Sequence, residues 1–181
     1  PPRGFFSRLT QRVDGVYELR EPDGMLRLYS PQGALFCWVD RFGHQMGFER
    51  DERGNVDFVI DPYGRLIDFQ WEEFADGKRR LTRIRDFAGR EVLYAYDQEG
   101  DLREVRSPVV VGTSTGNDQP AGRTERYTYS SGFADPRLNH NLLTVTAPEE
   151  TASGGAPRLT IVYGTDPGDP LTFDKVVART E

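Results

Sequence analysis

Apolar and polar residues alternate in short segments along this chain, and glycines separate these segments at nearly constant intervals. Leu26 and Leu28 flank an arginine, and Val56 and Phe58 flank an aspartate. A period of two residues is typical of a β-strand that turns one face towards a core and the other towards water. We therefore expect a sheet with one buried face and one wet face.

Thirteen segments rich in Val, Ile, Tyr, Phe and Trp predict β-strands. They cover residues 16–20, 26–30, 35–39, 45–50, 56–60, 66–72, 79–86, 91–97, 102–106, 123–130, 142–146, 158–163 and 175–180. No part of the sequence keeps an apolar period of 3.6 residues, so we expect almost no helix.

Nine glycines mark the turns between the strands of the first hundred residues, at intervals of 9 to 13 residues. They are Gly15, Gly24, Gly33, Gly43, Gly54, Gly64, Gly77, Gly89 and Gly100. Most of them end an Asp-x-x-Gly or Pro-x-Gly sequence, in which the aspartate accepts hydrogen bonds from nearby backbone amides and the glycine adopts a positive φ. Because each interval has room for one strand, the spacing predicts an array of successive antiparallel β-hairpins.

The regularity of the spacing divides the chain into three parts. Residues 1–108 carry the regular hairpin repeats, residues 109–122 form a long polar loop, and residues 123–181 carry strands with longer connections at 131–141, 148–157 and 164–171. The chain begins at Pro1 without an initiator methionine or a secretory signal sequence, and a cleavage before Pro1 during maturation is one hypothesis. We expect this stretch to be a fragment of a larger protein, because an open row of strands favours pairing with further chain.

One fifteen-residue pattern, Tyr-x-Tyr-Asp-x-x-Gly-x-Leu-x-x-Val-x-x-Pro, spans residues 94–108. Its defined positions are Tyr94, Tyr96, Asp97, Gly100, Leu102, Val105 and Pro108. Partial copies contain Asp61, Gly64, Arg65 and Leu66, and then Asp86 and Gly89. Two tyrosines that are two residues apart place both rings on the same face of a strand, where we expect them to stack over neighbouring hairpins with their hydroxyl groups at the wet edge.

This pattern closely resembles the YD repeat of the RHS (rearrangement hotspot) family. The chain departs from the family pattern at Asp101, where an arginine is usual, and at residues 131–141, which replace the regular turn of the last unit. The resemblance implies an all-β fold in which an antiparallel strip of hairpins forms part of a spiralling hollow shell.

The resemblance also implies a function. In bacterial toxin systems such shells enclose a C-terminal toxic domain, so we expect a non-enzymatic structural segment that protects a toxin or effector until it is delivered into a competitor or host cell. The implied partners are the rest of the shell, the enclosed toxin domain and a secretion apparatus, and the implied location is outside the bacterium, secreted or delivered. The alternative is a surface recognition or adhesion module that binds glycans or a protein through the aromatic residues Trp38, Tyr63 and Trp71.

Composition provides few residues for chemistry. The formal net charge of -6 argues against nucleic acid as a partner, and no apolar run is long enough to span a membrane. Cys37, the single cysteine, predicts a buried structural thiol, and neither His44 nor His140 has a histidine or carboxylate at the spacing of metal ligands. We therefore predict no catalytic residue, cofactor or metal.

One basic run, residues 78–85, is the strongest local concentration of charge. A nucleic-acid surface is one interpretation. Because Glu72, Glu73 and Glu91 lie on adjoining predicted strands, we expect cross-strand ion pairs to compensate much of this charge instead.

Overall fold

Fourteen β-strands follow one another in chain order through one sheet in the computed structural model, which describes residues 6–181. Neighbouring strands are antiparallel wherever their register is described. The hypothetical cleavage point at Pro1 lies outside the described residues. The strands are β1 (Arg8–Gln11), β2 (Tyr17–Arg20), β3 (Leu26–Tyr29), β4 (Leu35–Val39), β5 (Gln45–Arg50), β6 (Val56–Ile60), β7 (Leu66–Glu73), β8 (Arg79–Arg85), β9 (Glu91–Tyr96), β10 (Leu102–Arg106), β11 (Thr124–Tyr129), β12 (Leu142–Thr146), β13 (Leu159–Tyr163) and β14 (Val176–Thr180). The predicted all-β strip of hairpins is confirmed.

Helical structure within residues 6–181 is confined to a 3₁₀ turn, Pro136–Leu138, and a six-residue helix, α1 (Pro148–Ser153). Neither has the length and apolar character that crossing a membrane requires. One strand, β1, was not predicted from the sequence, because its residues are all exposed and show no apolar alternation. Its pairing with β2, with Leu9 opposite Leu19, is what makes it a strand.

The corners between the strands share one geometry. At the corner after β6, the amide of Asp61 donates to the carbonyl of Arg65 at 3.0 Å, and the amide of Gly64 donates back to the carbonyl of Asp61 at 2.9 Å. The nine predicted corner glycines all have φ between +73° and +90°. This combination is a type I turn followed by a left-handed bulge residue, as the Asp-x-x-Gly spacing predicts.

The chain divides into two compact units. The first consists of residues up to Gln70 together with Ile84–Gly89, and the second consists of Trp71–Arg83 and Arg90–Glu181. These bounds differ from the predicted division at residues 108 and 122, which stays a prediction.

The first unit has apolar side chains on both faces of its sheet. The register sets Leu28 opposite Cys37, Cys37 opposite Gly47 and Gly47 opposite Ile60, so these residues share one face. The other face carries Trp38 opposite Met46 and Phe48 opposite Val59. The prediction of one buried and one wet face is wrong for this unit.

The scarcity of buried residues explains why both faces are apolar. Among the described residues only Val59, Leu138 and Ala147 are buried hydrophobic side chains, and most strand residues are half-buried. A side chain is therefore covered mainly by its neighbours on the adjacent strands of the same sheet, and apolar residues on either face gain a similar partial burial.

The second unit follows the predicted alternation more closely in β11 to β14. Thr128, Thr144, Thr160 and Thr180 lie in one row, because each is the register partner of the next. The residues on the opposite face include Tyr127, which pairs with Val145. Thr128, Thr160 and Thr180 are exposed, whereas Tyr127, Val145 and Ile161 on the opposite face are half-buried.

Longer connections replace the tight corners after β10. The loop over residues 109–122 closes on itself where the amide of Val110 donates to the carbonyl of Gln119 at 3.0 Å. In the connection after β11, the carboxylate of Asp135 accepts from the amide of Arg137 at 3.0 Å and so caps the 3₁₀ turn. These loops are ordered by their own hydrogen bonds even though they lack the Asp-x-x-Gly sequence.

Burial predicts a measurable difference between two valines in β-strands. Val59 is 7% exposed and Val162 is 49% exposed. We expect Val59→Ala to lower the free energy of unfolding by about 1–2 kcal/mol, because it removes well-covered methyl groups, and Val162→Ala to lower it by less than about 0.5 kcal/mol. Urea unfolding followed by tryptophan fluorescence measures both changes, and equal losses would contradict the burial described here.

Candidate functional site

The chemistry of this chain is concentrated at the hairpin corners. At the corner after β6, the Oδ1 atom of Asp61 accepts from the amide of Tyr63 at 2.8 Å and from the amide of Arg65 at 3.0 Å. Its Oδ2 atom accepts from Nε of Arg65 at 2.6 Å. One carboxylate thus holds two backbone amides and the guanidinium of the residue four positions later, an arrangement that we call the aspartate clasp.

The aspartate clasp recurs at two earlier corners with different partners. Asp40 accepts from the amides of Phe42 and His44 at 2.7 and 3.0 Å, and its Oδ2 atom lies 2.8 Å from Nδ1 of His44. Asp51 accepts from the amide of Asn55 at 2.9 Å and from Nδ2 of the same asparagine at 3.0 Å. At these three corners the side chain four residues after the aspartate completes the clasp.

Corners without an aspartate in the first position use a side-chain oxygen elsewhere in the turn. Asp14, Asp23 and Asp76 stand one residue before the glycine, and each accepts from the amide two residues further on, at 3.0–3.1 Å. At the corner that contains Pro31, Oγ of Ser30 accepts from the amide of Ala34 at 3.3 Å. The Pro-x-Gly corners are thus capped by the same kind of bond as the Asp-x-x-Gly corners.

The partial repeat copies occupy corners of the first unit. Asp86 accepts from the amide of Ala88 at 2.9 Å, and the amide of Gly89 donates to the carbonyl of Asp86 at 2.9 Å. Leu66 is the first residue of β7, lies opposite Ile60 and is 51% exposed. The residues of these copies therefore lie in turns and at strand ends.

The full repeat lies in the second unit, in β9, the following corner and β10. Tyr94 faces Val105 and Tyr96 faces Leu102 across the hairpin, and Pro108 follows the end of β10. The carboxylate of Asp97 accepts from the amide of Asp101 at 2.8 Å, and Gly100 has a φ of +90°.

Tyr96 makes contacts that the sequence did not predict. Its hydroxyl donates to the carbonyl of Leu81 at 2.8 Å, so it does not lie at a wet edge as expected, and burial raises the pKa of the phenol. Its ring meets that of Phe74 edge to face, with 5.4 Å between the ring centroids. This tyrosine therefore joins β9 to the preceding hairpin through both packing and a hydrogen bond.

Arg80 belongs to β8, and its guanidinium contacts the corner of the full repeat at Gly100. Its Nε donates to the carbonyl of Gly100 at 3.0 Å, and its Nη1 and Nη2 bind the carboxylate of Asp76 at 2.9 and 2.6 Å. A Cβ atom on Gly100 would overlap this guanidinium. Arg80 also lies over the rings of Phe74 and Tyr96, at 5.0 and 5.7 Å.

The side chain of Asp101 takes a different partner because, unlike an arginine side chain, its carboxylate cannot donate to Asp97. Its Oδ2 atom lies 2.8 Å from Nδ1 of His140, in the connection between β11 and β12. His140 has a φ of +66°, and its amide donates to the carbonyl of Ser130 at 2.8 Å. Asn141, the next residue, donates through Nδ2 to Asp174 at 2.8 Å. The departure from the repeat sequence at Asp101 thus coincides with a tie to the loop at 131–141.

Three sequence interpretations concerning single residues are revised. Both histidines lie against an aspartate, so the expectation that His44 and His140 lack a carboxylate neighbour at ligand spacing is wrong; the Asp40 signal, four residues before His44, was visible in the sequence. Residues 6–181 nevertheless contain no group of three metal-ligand side chains. Cys37 is half-buried, and this burial raises the pKa of its thiol.

In the basic run, Arg80 and Arg83 pair with acidic residues. Arg83 lies 3.2 Å from Glu91, one of the predicted acidic partners, while Arg80 binds Asp76 rather than a residue of an adjoining strand. Arg79 donates to the carbonyl of Trp71 at 3.2 Å.

The aromatic residues of the alternative function differ widely in exposure. Tyr63 is 83% exposed and Trp38 is 37% exposed, whereas Trp71 is half-buried. The structure adds Phe87, which is 54% exposed and whose ring centroid lies 4.0 Å from Cζ of Arg65. The ring centroid of Tyr63 lies 5.0 Å from the same atom. Sequence reasoning missed this grouping because the three residues are brought together only by the pairing of hairpins.

Comparison with known proteins found a sequence similarity to a toxin. No protein-family model matches it. Over 159 residues the chain is 28% identical to a protein of Burkholderia cenocepacia (strain H111) named double-stranded DNA deaminase toxin A. The match covers 74% of this chain and 11% of that protein, so the chain spans only a small part of its relative's length.

This similarity corrects one prediction. The sequence was interpreted as that of a non-enzymatic protein, because it offers no catalytic set of residues. The relative is named as a deaminase, so the prediction that the protein is not an enzyme is wrong. The expected relation to a toxin agrees with the comparison at that coarse level.

Two corner glycines provide a test of the Arg80 contact. Gly64 and Gly100 both have positive φ, but a Cβ would meet open space at Gly64 and the Arg80 guanidinium at Gly100. We expect Gly64→Ala to cost about 1–2 kcal/mol of unfolding free energy from backbone conformation alone. Gly100→Ala should cost more, because the guanidinium of Arg80 has to leave the carbonyl of Gly100 and the carboxylate of Asp76 to make room. Urea unfolding of both variants measures the difference, and equal costs would show that Arg80 does not fill the Gly100 corner.

The clasps also predict how stability depends on pH. Hydrogen bonds from His44 to Asp40 and from Arg65 to Asp61 lower the pKa of each carboxyl, and Arg80 lowers that of Asp76 strongly. A folded-state pKa below the unfolded value of about 4 stabilises the fold above that pH, and this contribution is lost as the pH falls through the folded-state pKa.

We therefore expect the urea midpoint to fall as the pH is lowered from about 5 to 2. Asp61→Asn is the matched variant, since its amide oxygen can still accept from the two backbone amides while the charge is gone. Its midpoint should vary less with pH than that of the unchanged chain. An identical pH dependence would mean that the Asp61 clasp contributes nothing to acid sensitivity.

Proposed function

We propose that this chain is a segment of the wall of an RHS-type shell, and that the shell encloses the toxic domain of a larger protein. The observation that carries the proposal is the strand order: fourteen strands are paired strictly with their neighbours along the chain. Such a strip can be lengthened by adding hairpins at either margin without rearranging the strands already paired.

The distribution of burial supports a wall rather than a packed globule. Fully covered hydrophobic side chains are few in residues 6–181, and apolar residues such as Phe48 and Ile60 stand on opposite faces of the first unit. A sheet of this kind has two accessible surfaces, of which one can contact an enclosed domain while the other meets solvent. Hairpin-local pairing also keeps the entropic cost of closing each added strand small.

The similarity to a deaminase toxin supports a toxic cargo with enzymatic activity. We propose that the complete protein is an enzyme, with deamination of double-stranded DNA as the activity to test first. Zinc deaminases bind the metal through a histidine and two cysteines or through three cysteines. This chain has a single cysteine, so at least one ligand of such a centre comes from outside these 181 residues.

The proposed delivery follows from the same argument. A shell around a toxic domain is useful if the toxin must be inert in the producing cell and active in a competitor or host cell. We propose a bacterial secretion system as the delivery route, with the rest of the shell and the enclosed domain as the partners of this segment.

Protection of the enclosed domain is the property to measure. In the protein made from the complete reading frame, Gly100→Val should weaken the wall locally, because the added side chain meets the Arg80 guanidinium. The matched control is Gly112→Val, at another positive φ but with open space around it, in the loop after β10. Limited proteolysis with mass spectrometry follows cleavage of the toxic domain.

We expect the domain to be resistant in the unchanged protein and in the control, and to be cleaved several times faster in Gly100→Val. DNA deaminase activity of each digest reports whether the released fragment is the toxic one. Equal cleavage in all three proteins, with the toxic domain accessible throughout, would contradict enclosure by this wall.

A further inference from the structure

Three hairpin corners place a glycine directly after an exposed aspartate. They are the corners at Asp14-Gly15, Asp23-Gly24 and Asp76-Gly77. An aspartate in this position can react with its own backbone without an enzyme, because glycine has no side chain to hinder the approach of its amide nitrogen to Cγ of the aspartate. These three corners therefore carry the residues for a covalent modification.

The modification is an isomerisation that needs only water. The glycine nitrogen attacks Cγ of the carboxylic acid form, an N–C bond forms, a C–O bond breaks, and the amide hydrogen leaves with the hydroxyl group as water. The product is a cyclic succinimide, which another water molecule hydrolyses. Where hydrolysis breaks the bond between the nitrogen and the original backbone carbonyl carbon, the chain continues through Cβ and Cγ, and the residue has become isoaspartate.

The three corners share one backbone geometry. The amides of Gly15, Gly24 and Gly77 each donate to the carbonyl three residues earlier, at 3.0, 3.0 and 2.9 Å. One carboxylate oxygen of each preceding aspartate accepts from the amide two residues after it, at 3.0–3.1 Å. The backbone conformation therefore gives no reason for the three aspartates to react at different rates.

Side-chain partners separate Asp76 from the other two aspartates. Its Oδ1 atom accepts from Nη1 of Arg80 at 2.9 Å, and its Oδ2 atom accepts from Nη2 at 2.6 Å. These bonds hold the carboxyl in its ionised form, which has no hydroxyl group to release, and they lower its pKa. Within the described residues, Oδ2 of Asp14 and Oδ2 of Asp23 accept no hydrogen bond.

We infer that Asp14 and Asp23 are sites of spontaneous conversion to isoaspartate, and that Arg80 protects Asp76 from the same reaction. The glycine amide becomes available when the corner opens locally and its turn hydrogen bond breaks. At Asp76 the same opening has to break two charge-assisted hydrogen bonds as well. Conversion adds one carbon atom to the backbone of the corner, so the turn hydrogen bonds cannot all be formed again.

Steric crowding around the glycine predicts the opposite order. A Cβ atom on Gly15 would lie 3.2 Å from Cγ of Pro31, and one on Gly24 would lie 3.3 Å from Cβ of Arg41. Gly77 has open space around it. If access to the glycine set the rate, the aspartate before Gly77 would react fastest, so the rates distinguish the two explanations.

The experiment follows isoaspartate in the folded chain during incubation at neutral pH. Trypsin releases residues 13–20, 21–27 and 66–78 as separate peptides, each with one of the three aspartate-glycine pairs. Chromatography separates isoaspartyl from aspartyl peptides of equal mass, and electron-transfer fragmentation locates the isoaspartate. We expect isoaspartate to accumulate several times faster at Asp14 and Asp23 than at Asp76. The chain in urea, where the three pairs should react at similar rates, is the reference.

Two variants test the role of Arg80. Arg80→Gln should raise the rate at Asp76 towards that at Asp23, because the glutamine has no charge with which to hold the carboxylate ionised. Arg83→Gln, in the same strand, is the matched control and should leave the rate at Asp76 unchanged, because Arg83 pairs with Glu91. Circular dichroism shows whether each variant is folded.

Four results would overturn the inference. They are absence of isoaspartate at Asp14 and Asp23 over a period in which the chain in urea reacts, a rate at Asp76 equal to or above theirs, an unchanged rate at Asp76 in Arg80→Gln, and an equal increase in Arg83→Gln. The last result would mean that general loosening of β8, and not loss of the Arg80 contact, exposes Asp76. The outcome is independent of the proposed shell, since it concerns single corners of this chain.

Discussion

The fold depends on closing each hairpin corner so that backbone amides at the turn are satisfied by a neighbouring side chain. A sheet with few buried side chains gains little from a hydrophobic core, and its stability comes from strand pairing that must be renewed at every reversal of the chain. The carboxylate of Asp61 shows how this is achieved, because it binds two amides and the following guanidinium at once. The positive φ at Gly64 then returns the chain in register for the next strand.

The same constraint explains the contacts around the full repeat. Asp101 cannot complete a clasp with Asp97 through a donor of its own side chain, and a guanidinium reaches this corner from Arg80 instead. The carboxylate of Asp101 is then engaged by His140 from a later loop. A single departure from the repeat sequence is thus accompanied by two long-range contacts, which join this corner to β8 and to the loop at 131–141.

The two faces of the sheet are the feature that bears on the proposed function. The two accessible faces support the proposed role as a wall around a toxic domain, and the similarity to a deaminase toxin favours an enzymatic cargo.

The sequence alone determined the local structure of this protein. Period-two segments and Asp-x-x-Gly turns depend on interactions within a few residues, so strands such as 56–60, the positive φ of the corner glycines and the antiparallel hairpins were all predictable. The aspartate that lies four residues before His44 was equally visible. The resemblance of residues 94–108 to a known repeat likewise depends on local spacing.

Only the tertiary structure decided which distant residues meet. The register between hairpins sets three such contacts, and no short window of sequence encodes it. They are Arg80 with Gly100, His140 with Asp101 and Phe87 with Arg65. The faces of the first unit were predicted wrongly for the same reason. Alternation shows which side chains share a face of one strand, but how much each face is covered depends on what packs against the whole sheet.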